Sequence, residues 1–171
     1  MYKAIDVAKY ILARARQNGD LVTNLKLQKL LYYAQAWYMA KNEGRKLFED
    51  DIEAWEYGPI VRELYNFFKR FSSDPINEYV DKKDIEKFSD KDKKFMDDFL
   101  SEFMDYSASS LVSAIHQDEP WIEAFDENNK RASNIISTDS MYRFYIKMVR
   151  SKDDLIEGIN TPIDECVSVK W

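Results

Sequence analysis

Only four glycines and four prolines interrupt the 171 residues of this chain. A chain with so few breakers has few places to turn sharply, and long stretches are left to regular structure. Between the breakers, apolar residues recur every three or four positions, the period of a helix buried along one face. The side chains that fill this pattern are large: 4 Trp, 11 Tyr and 10 Phe make up 15% of the sequence. The expectation is a mainly α fold: one compact domain of about six or seven helices, with at most a small β element near 47–57 or in the C-terminal tail. At this length, area scaling buries about 70% of the unfolded surface, so the core needs no staple.

The helices follow from the stripes. Ala4, Ile5, Ala8, Ile11, Leu12 and Ala15 share one face, and Asn18-Gly19-Asp20 stops that helix. Thr23 or Asn24 caps the next, on which Leu27, Leu30, Leu31, Ala34, Trp37 and Tyr38 are apolar. On it Lys26, Lys29, Tyr33 and Gln35 point elsewhere. Leu47 to Glu56 alternates and reads as an extended segment or hairpin arm. Gly58-Pro59 then reads as a helix start, proline being suited to the first helical position. The helix that follows carries Ile60, Val61, Leu64, Phe67, Phe68 and Phe71. The stretch from Ser72 to Ser89 is polar and reads as loop with a helical turn or two. Ser89 caps a helix striped by Phe95, Met96, Phe99, Leu100, Phe103 and Tyr106. Ser107 or Ser109 caps another through Ile115; Pro120-Trp121 opens a short one; Thr138 or Asp139 starts the last. The domain is expected to span 1–152, with 153–171 an irregular tail that carries at most a terminal strand.

Composition also limits the chemistry. One Cys (Cys166) excludes an intrachain disulfide framework and multi-Cys zinc sites, and one His (His116) excludes any site that needs two imidazoles. With 25 Lys and Arg against 31 Asp and Glu, the net charge is −6. That balance disfavours broad attraction to nucleic acid or anionic membrane. No apolar run is long enough for a membrane span, and the charged start Met1–Asp6 has no signal-peptide h-region, so a cytoplasmic protein is expected. No cofactor or metal is expected: four dispersed glycines build no phosphate loop, and consecutive acids such as Glu49-Asp50-Asp51 point apart.

Three blocks stand out in order: Thr23 through Gln35, Glu53 through Val61 containing Tyr57-Gly58-Pro59, and Ser107–Leu111 followed by His116 and Pro120-Trp121. Together they resemble the Panacea domain, the SocA-like antitoxin family, over about Ala4 to Val149. The resemblance implies an antitoxin that neutralises a cognate protein toxin, and the acidic field suits a basic one.

Lys29, Tyr57 and Trp121 are residues that packing alone does not demand. With Gly58 and Pro59 they form the expected partner-binding surface, in which Lys29 acts as a charge on the helix's polar side. Pro120 and His116 are expected to be structural, His116 being buried, hydrogen-bonded and packed on Trp121. Two other classes compete. A DNA-binding regulator would use the first two helices as a helix-turn-helix, alone or in a toxin complex. A hydrolase would use His116 as a base oriented by Asp118 or Glu119.

Overall fold

The computed structural model describes residues 1–130 and 132–156. Eight α-helices and one two-stranded sheet are found among them. In order these are α1 (Ala4–Asn18), α2 (Asn24–Lys41), β1 (Glu53–Trp55), β2 (Gly58–Ile60), α3 (Arg62–Phe68), α4 (Lys82–Glu86), α5 (Asp90–Phe103), α6 (Ala108–Ile115), α7 (Glu119–Ala124) and α8 (Thr138–Ile156). The fold is mainly α, as the stripes require. The short α4 accounts for the helical turn expected in the polar stretch before Ser89. The last helix runs to Ile156, past the expected boundary at 152. The remainder of the tail, with its expected strand, lies outside the described residues.

Caps set the helix starts. Thr23 Oγ1 accepts from Lys26 N at 3.2 Å, Ser89 Oγ from Asp92 N at 3.2 Å, and Ser107 Oγ from Ser110 N at 3.0 Å. Each satisfies a backbone donor that has no partner within its helix. Gly19 ends α1 in the left-handed region at φ 80°.

The arrangement centres on α2. It packs against α1, α5, α6, α8 and the hairpin, and from Leu27 to Ala36 every residue is buried. This differs from the one-sided helix that the apolar stripe predicts. Gln28, Lys29, Tyr33 and Gln35 do not face water. A helix surrounded on every side buries its polar positions too, and these must then find partners.

Gln28, Lys29 and Gln35 find them in backbone. Gln35 behaves like a neighbouring strand: its Oε1 accepts from Leu47 N at 2.8 Å and Phe48 N at 3.1 Å, and its Nε2 donates to Phe48 O at 2.8 Å. The same segment is bridged to Tyr2, whose N donates to Leu47 O at 2.9 Å. A second polar knot lies deeper. Asp118 is fully buried and accepts hydrogen bonds from the hydroxyls of Tyr32 and Tyr145, which fastens α2, α8 and the start of α7 together. Burial, and the Asp118 carboxylate beside them, push both phenols well above their usual pKa.

Replacing Gln35 by Leu leaves two buried N–H groups and one C=O without their partner, at a cost of about 1–3 kcal/mol for each unsatisfied group. We expect Gln35→Leu to lower the urea unfolding midpoint by an amount equivalent to about 3 kcal/mol, with an unchanged m-value. A loss below about 1 kcal/mol would contradict the role of this side chain as a strand substitute.

Candidate functional site

The β1–β2 hairpin pairs Glu53 with Ile60, Ala54 with Pro59 and Trp55 with Gly58, leaving Glu56-Tyr57 as the turn. The structure therefore corrects the reading of Gly58-Pro59 as a helix start: both belong to β2, and the helix begins at Arg62. Proline fits here for a different reason. Ala54 N donates away from β2, to Asn134 O at 2.8 Å, so the Ala54–Pro59 pair exchanges no hydrogen bond and needs no N–H from Pro59. Positive φ outside glycine is confined, among the described residues, to Glu43 and Ser72. The hairpin reversal thus falls to Gly58, at φ 87°. A turn followed by a left-handed residue is a recognised way to close a hairpin, and glycine adopts that conformation without penalty.

The outer edge of β2 is covered by α2. Lys29 Nζ donates to Pro59 O at 2.9 Å, and Val61 N donates to Gln28 Oε1 at 2.8 Å. Gln28 Nε2 in turn donates to Asn24 Oδ1 at 3.1 Å, and Asn24 Nδ2 to Tyr65 O at 3.1 Å. Lys29 is completely buried, not the rim charge that the sequence suggests. Desolvation pushes its amine down to about 7. Gly58 lets it lie there: a Cβ at Gly58 would stand 3.1 Å from both Cε and Nζ of Lys29.

α6 and α7 support the hairpin from the third block. Trp121 Nε1 donates to Trp55 O at 3.1 Å, and His116 Nε2 meets Glu56 O at 3.0 Å, a bond that requires the Nε2–H form. The His116 and Trp121 rings stack at 4.4 Å, and Trp121 stacks on Phe125 at 4.5 Å. His116 packs on Trp121 as expected, but it is exposed and not buried, because it reaches outward over the turn. Pro120 lies buried in the first turn of α7 and sets its start.

Lys29, Gly58, Pro59, Trp121 and His116 therefore all contact or form the hairpin, while Tyr57 projects from its tip, 70% exposed. Glu56 beside it is paired with Lys130 at 2.6 Å.

The supposed partner of His116, Asp118, is turned into the core toward Tyr32 and Tyr145, and the imidazole meets a carbonyl instead. Among the described residues no group of His, Cys, Asp or Glu could hold a metal ion, and no helix is long and apolar enough to cross a membrane. From Leu27 to Ala36 α2 is buried, so these positions offer no face to a DNA groove. The expected partner-binding surface leaves out Asn24, Gln28 and Gln35. Their signal is the spacing i, i+4 and i+11, which places three uncharged amides along one side of α2.

The geometry defines a small helical domain built to hold one β-hairpin rigidly with its tip exposed. The chain belongs to the family of antitoxin SocA-like proteins with a Panacea domain, whose model matches residues 27–122. That span contains every candidate site residue but not α1 or α8, so it is narrower than the resemblance over Ala4 to Val149. The chain is similar to Antitoxin SocA of Caulobacter vibrioides, with 35% identity over 79 residues. The aligned stretch covers 46% of this chain and 42% of that protein, less than half of either. No solved structure matches the chain.

Lys29 gives the site a stability signature with a definite sign. Between about pH 7 and the ordinary lysine range near 10.5, the folded amine is neutral while the unfolded one is protonated. The unfolded chain then binds more protons, so stability rises with pH, by at most about 1.4 kcal/mol per unit. The rise turns over near the ordinary tyrosine value of 10.0, where Tyr32, Tyr33 and Tyr145 ionise in the unfolded chain but not in the folded one. We expect urea titrations between pH 7 and about 9.5 to show this slope in the native protein and a much flatter one in Lys29→Met. Equal slopes would mean that Lys29 is charged in the fold.

Gly58→Ala tests the close approach. It forces a Cβ into the left-handed region and against the buried amine, and we expect a loss of about 1–3 kcal/mol by thermal or urea unfolding. Gly19→Ala, where a Cβ would meet nothing within 4 Å, carries the conformational cost alone and is the control.

Proposed function

We propose that this protein is an antitoxin that neutralises a cognate protein toxin by direct contact, and that the Tyr57 hairpin tip is its main anchor. The toxin's gene is proposed to lie beside it on a mobile element or prophage. Family membership supports the antitoxin role. The observation that supports contact through the tip is the contrast between its exposure and its support. Tyr57 is exposed, while the backbone on either side of it is held by side chains from α2, α6 and α7.

A large aromatic held on a rigid turn loses little conformational entropy on binding. Lys29, Gly58, Pro59 and Trp121 act in this reading by fixing the turn, and Tyr57 by touching the partner. His116 is a positioning residue over Glu56, not a base, and no catalysis is assigned to the protein. The net charge of −6 raises the encounter rate with a basic toxin.

The test is coexpression with the neighbouring reading frame whose product arrests growth. Wild type restores growth. Tyr57→Ala weakens the complex by about 1–3 kcal/mol with an unchanged melting temperature, and rescue is lost. Lys29→Glu fails for another reason, because a buried carboxylate replaces the donor to Pro59 and the hairpin loses its support. Its melting temperature falls together with rescue. Full rescue by a folded Tyr57→Ala would overturn the assignment of the anchor.

A further inference from the structure

One edge of the sheet is left open among the described residues. Besides β2, β1 has a neighbour on its other side: Ala54 N donates to Asn134 O and Ile136 N to Ile52 O, both at 2.8 Å, with Glu53 opposite Ile135. Those two bonds flank the Glu53–Ile135 pair, which therefore exchanges none of its own. The N–H and C=O of Ile135 point away from β1, and neither finds a partner among the described residues. Alternation puts Ser133 and Ser137 on the same side. The Ser137 C=O accepts from Met141 N in α8, which leaves its N–H, while both backbone groups of Ser133 are unbonded. Ile135 is 55% exposed, and Ser133, Asn134 and Ser137 are exposed with it.

Free edges are ordinarily guarded by charge, by proline or by a covering element. The far edge of this sheet is covered, since Lys29 Nζ donates to Pro59 O and Gln28 Oε1 accepts from Val61 N. The open edge carries no such guard in its sequence: Ala132 to Thr138 contains neither charge nor proline, in a chain that is 33% charged. Arg62, which also donates to Ser133 Oγ, is paired with Glu53 at 2.8 Å. A basic partner therefore finds no free acid on this strip. A second copy finds an uncharged strip like its own, and two molecules of net charge −6 meet here without like charges side by side. The outward positions also read the same from either end: Ser133, Ile135, Ser137.

We propose that two copies of this chain pair antiparallel along 133–137, about a two-fold axis at Ile135. The two Ile135 residues exchange both N–H···O bonds, and each Ser137 N–H donates to Ser133 O of the second copy. The Ile135 side chains meet across the axis on one face of the joined sheet. The same patch is used on both copies, and α2 blocks the far edge of each sheet, so assembly stops at two. The Tyr57 tips lie at opposite ends of the joined sheet, both free for a toxin. The inference goes beyond the antitoxin reading and does not depend on it.

The test is sedimentation equilibrium of the full chain from about 10 µM to about 1 mM, the range in which a small polar interface associates. We expect a monomer–dimer equilibrium that stops at the dimer. Hydrogen exchange followed by NMR locates the contact: the Ile135 amide, free in the monomer, slows at least threefold at the higher concentration. The Ile136 amide, bonded to Ile52 O in either state, is the internal reference. Ile135→Lys sets two like charges across the axis and weakens the dimer at least tenfold, with an unchanged melting temperature in dilute solution. Ile135→Pro removes the outward donor but neither bond to β1, and does the same. Ile135→Val keeps the dimer. A monomer at about 1 mM overturns the proposal, as does a dimer that leaves Ile135 exchange unchanged or survives Ile135→Lys. Protection of Ile135 only when the toxin is added also overturns it, because the edge would then belong to the toxin.

Discussion

Backbone groups at the edge of a small sheet must bond to something, and in this protein the side chains of one helix supply the partners. Asn24, Gln28, Lys29 and Gln35 all lie on α2, and each bonds to main chain elsewhere or orients a neighbour that does. A two-stranded hairpin alone is marginal in water. Here β2 gains a second neighbour that is not a strand, and Leu47-Phe48 gains one as well. The amides suit this work because they offer a donor and an acceptor without bringing a charge into the interior. Lys29 is the exception, and its depressed pKa is the consequence.

That helix can serve both segments because it is enclosed. α8, α6, α5 and α1 surround it, so the positions that a surface helix would give to water are turned toward chain that needs hydrogen bonds. The buried Asp118 and its two tyrosines extend the same logic to the far side of α2. Each such group is costly if its partner is lost, so alternatives that shift α2 by one turn against the hairpin leave several groups unsatisfied at once. Polar burial of this kind sets register as much as stability.

The helices were legible because apolar period and capping residues are local signals. Ser89 and Ser107 cap where the sequence puts them, and the stripe of α5 from Phe95 to Phe103 faces the core. The hairpin was legible in part: alternation marks 53–57, but Gly58-Pro59 reads equally as a helix start. Only the outward-facing N–H of Ala54 shows why proline is tolerated in β2. The grouping of Lys29, the turn and Trp121 was visible as surplus residues in three blocks. Their burial was not, because a lysine on a helix flank reads as solvated until the helix is known to be enclosed. His116 misled in the opposite direction. A lone histidine before a Pro-Trp pair suggests a core residue, yet its ring lies outside, over the turn.

The enclosed lysine also explains why the turn needs glycine. With a side chain at 58, the amine would be pushed from Pro59 O, and with the amine displaced that carbonyl would lose its bond. Glycine is thus required twice, once by φ 87° and once by the approach of Lys29. The two requirements bear on different atoms, and together they couple the shape of the turn to the protonation of a residue thirty positions away in sequence from the carbonyl it meets. Tyr57 precedes that glycine directly. Its direction is therefore fixed by the same contact that holds the Lys29 amine, so the exposed tyrosine and the buried amine are one structural unit and not two independent features of the surface.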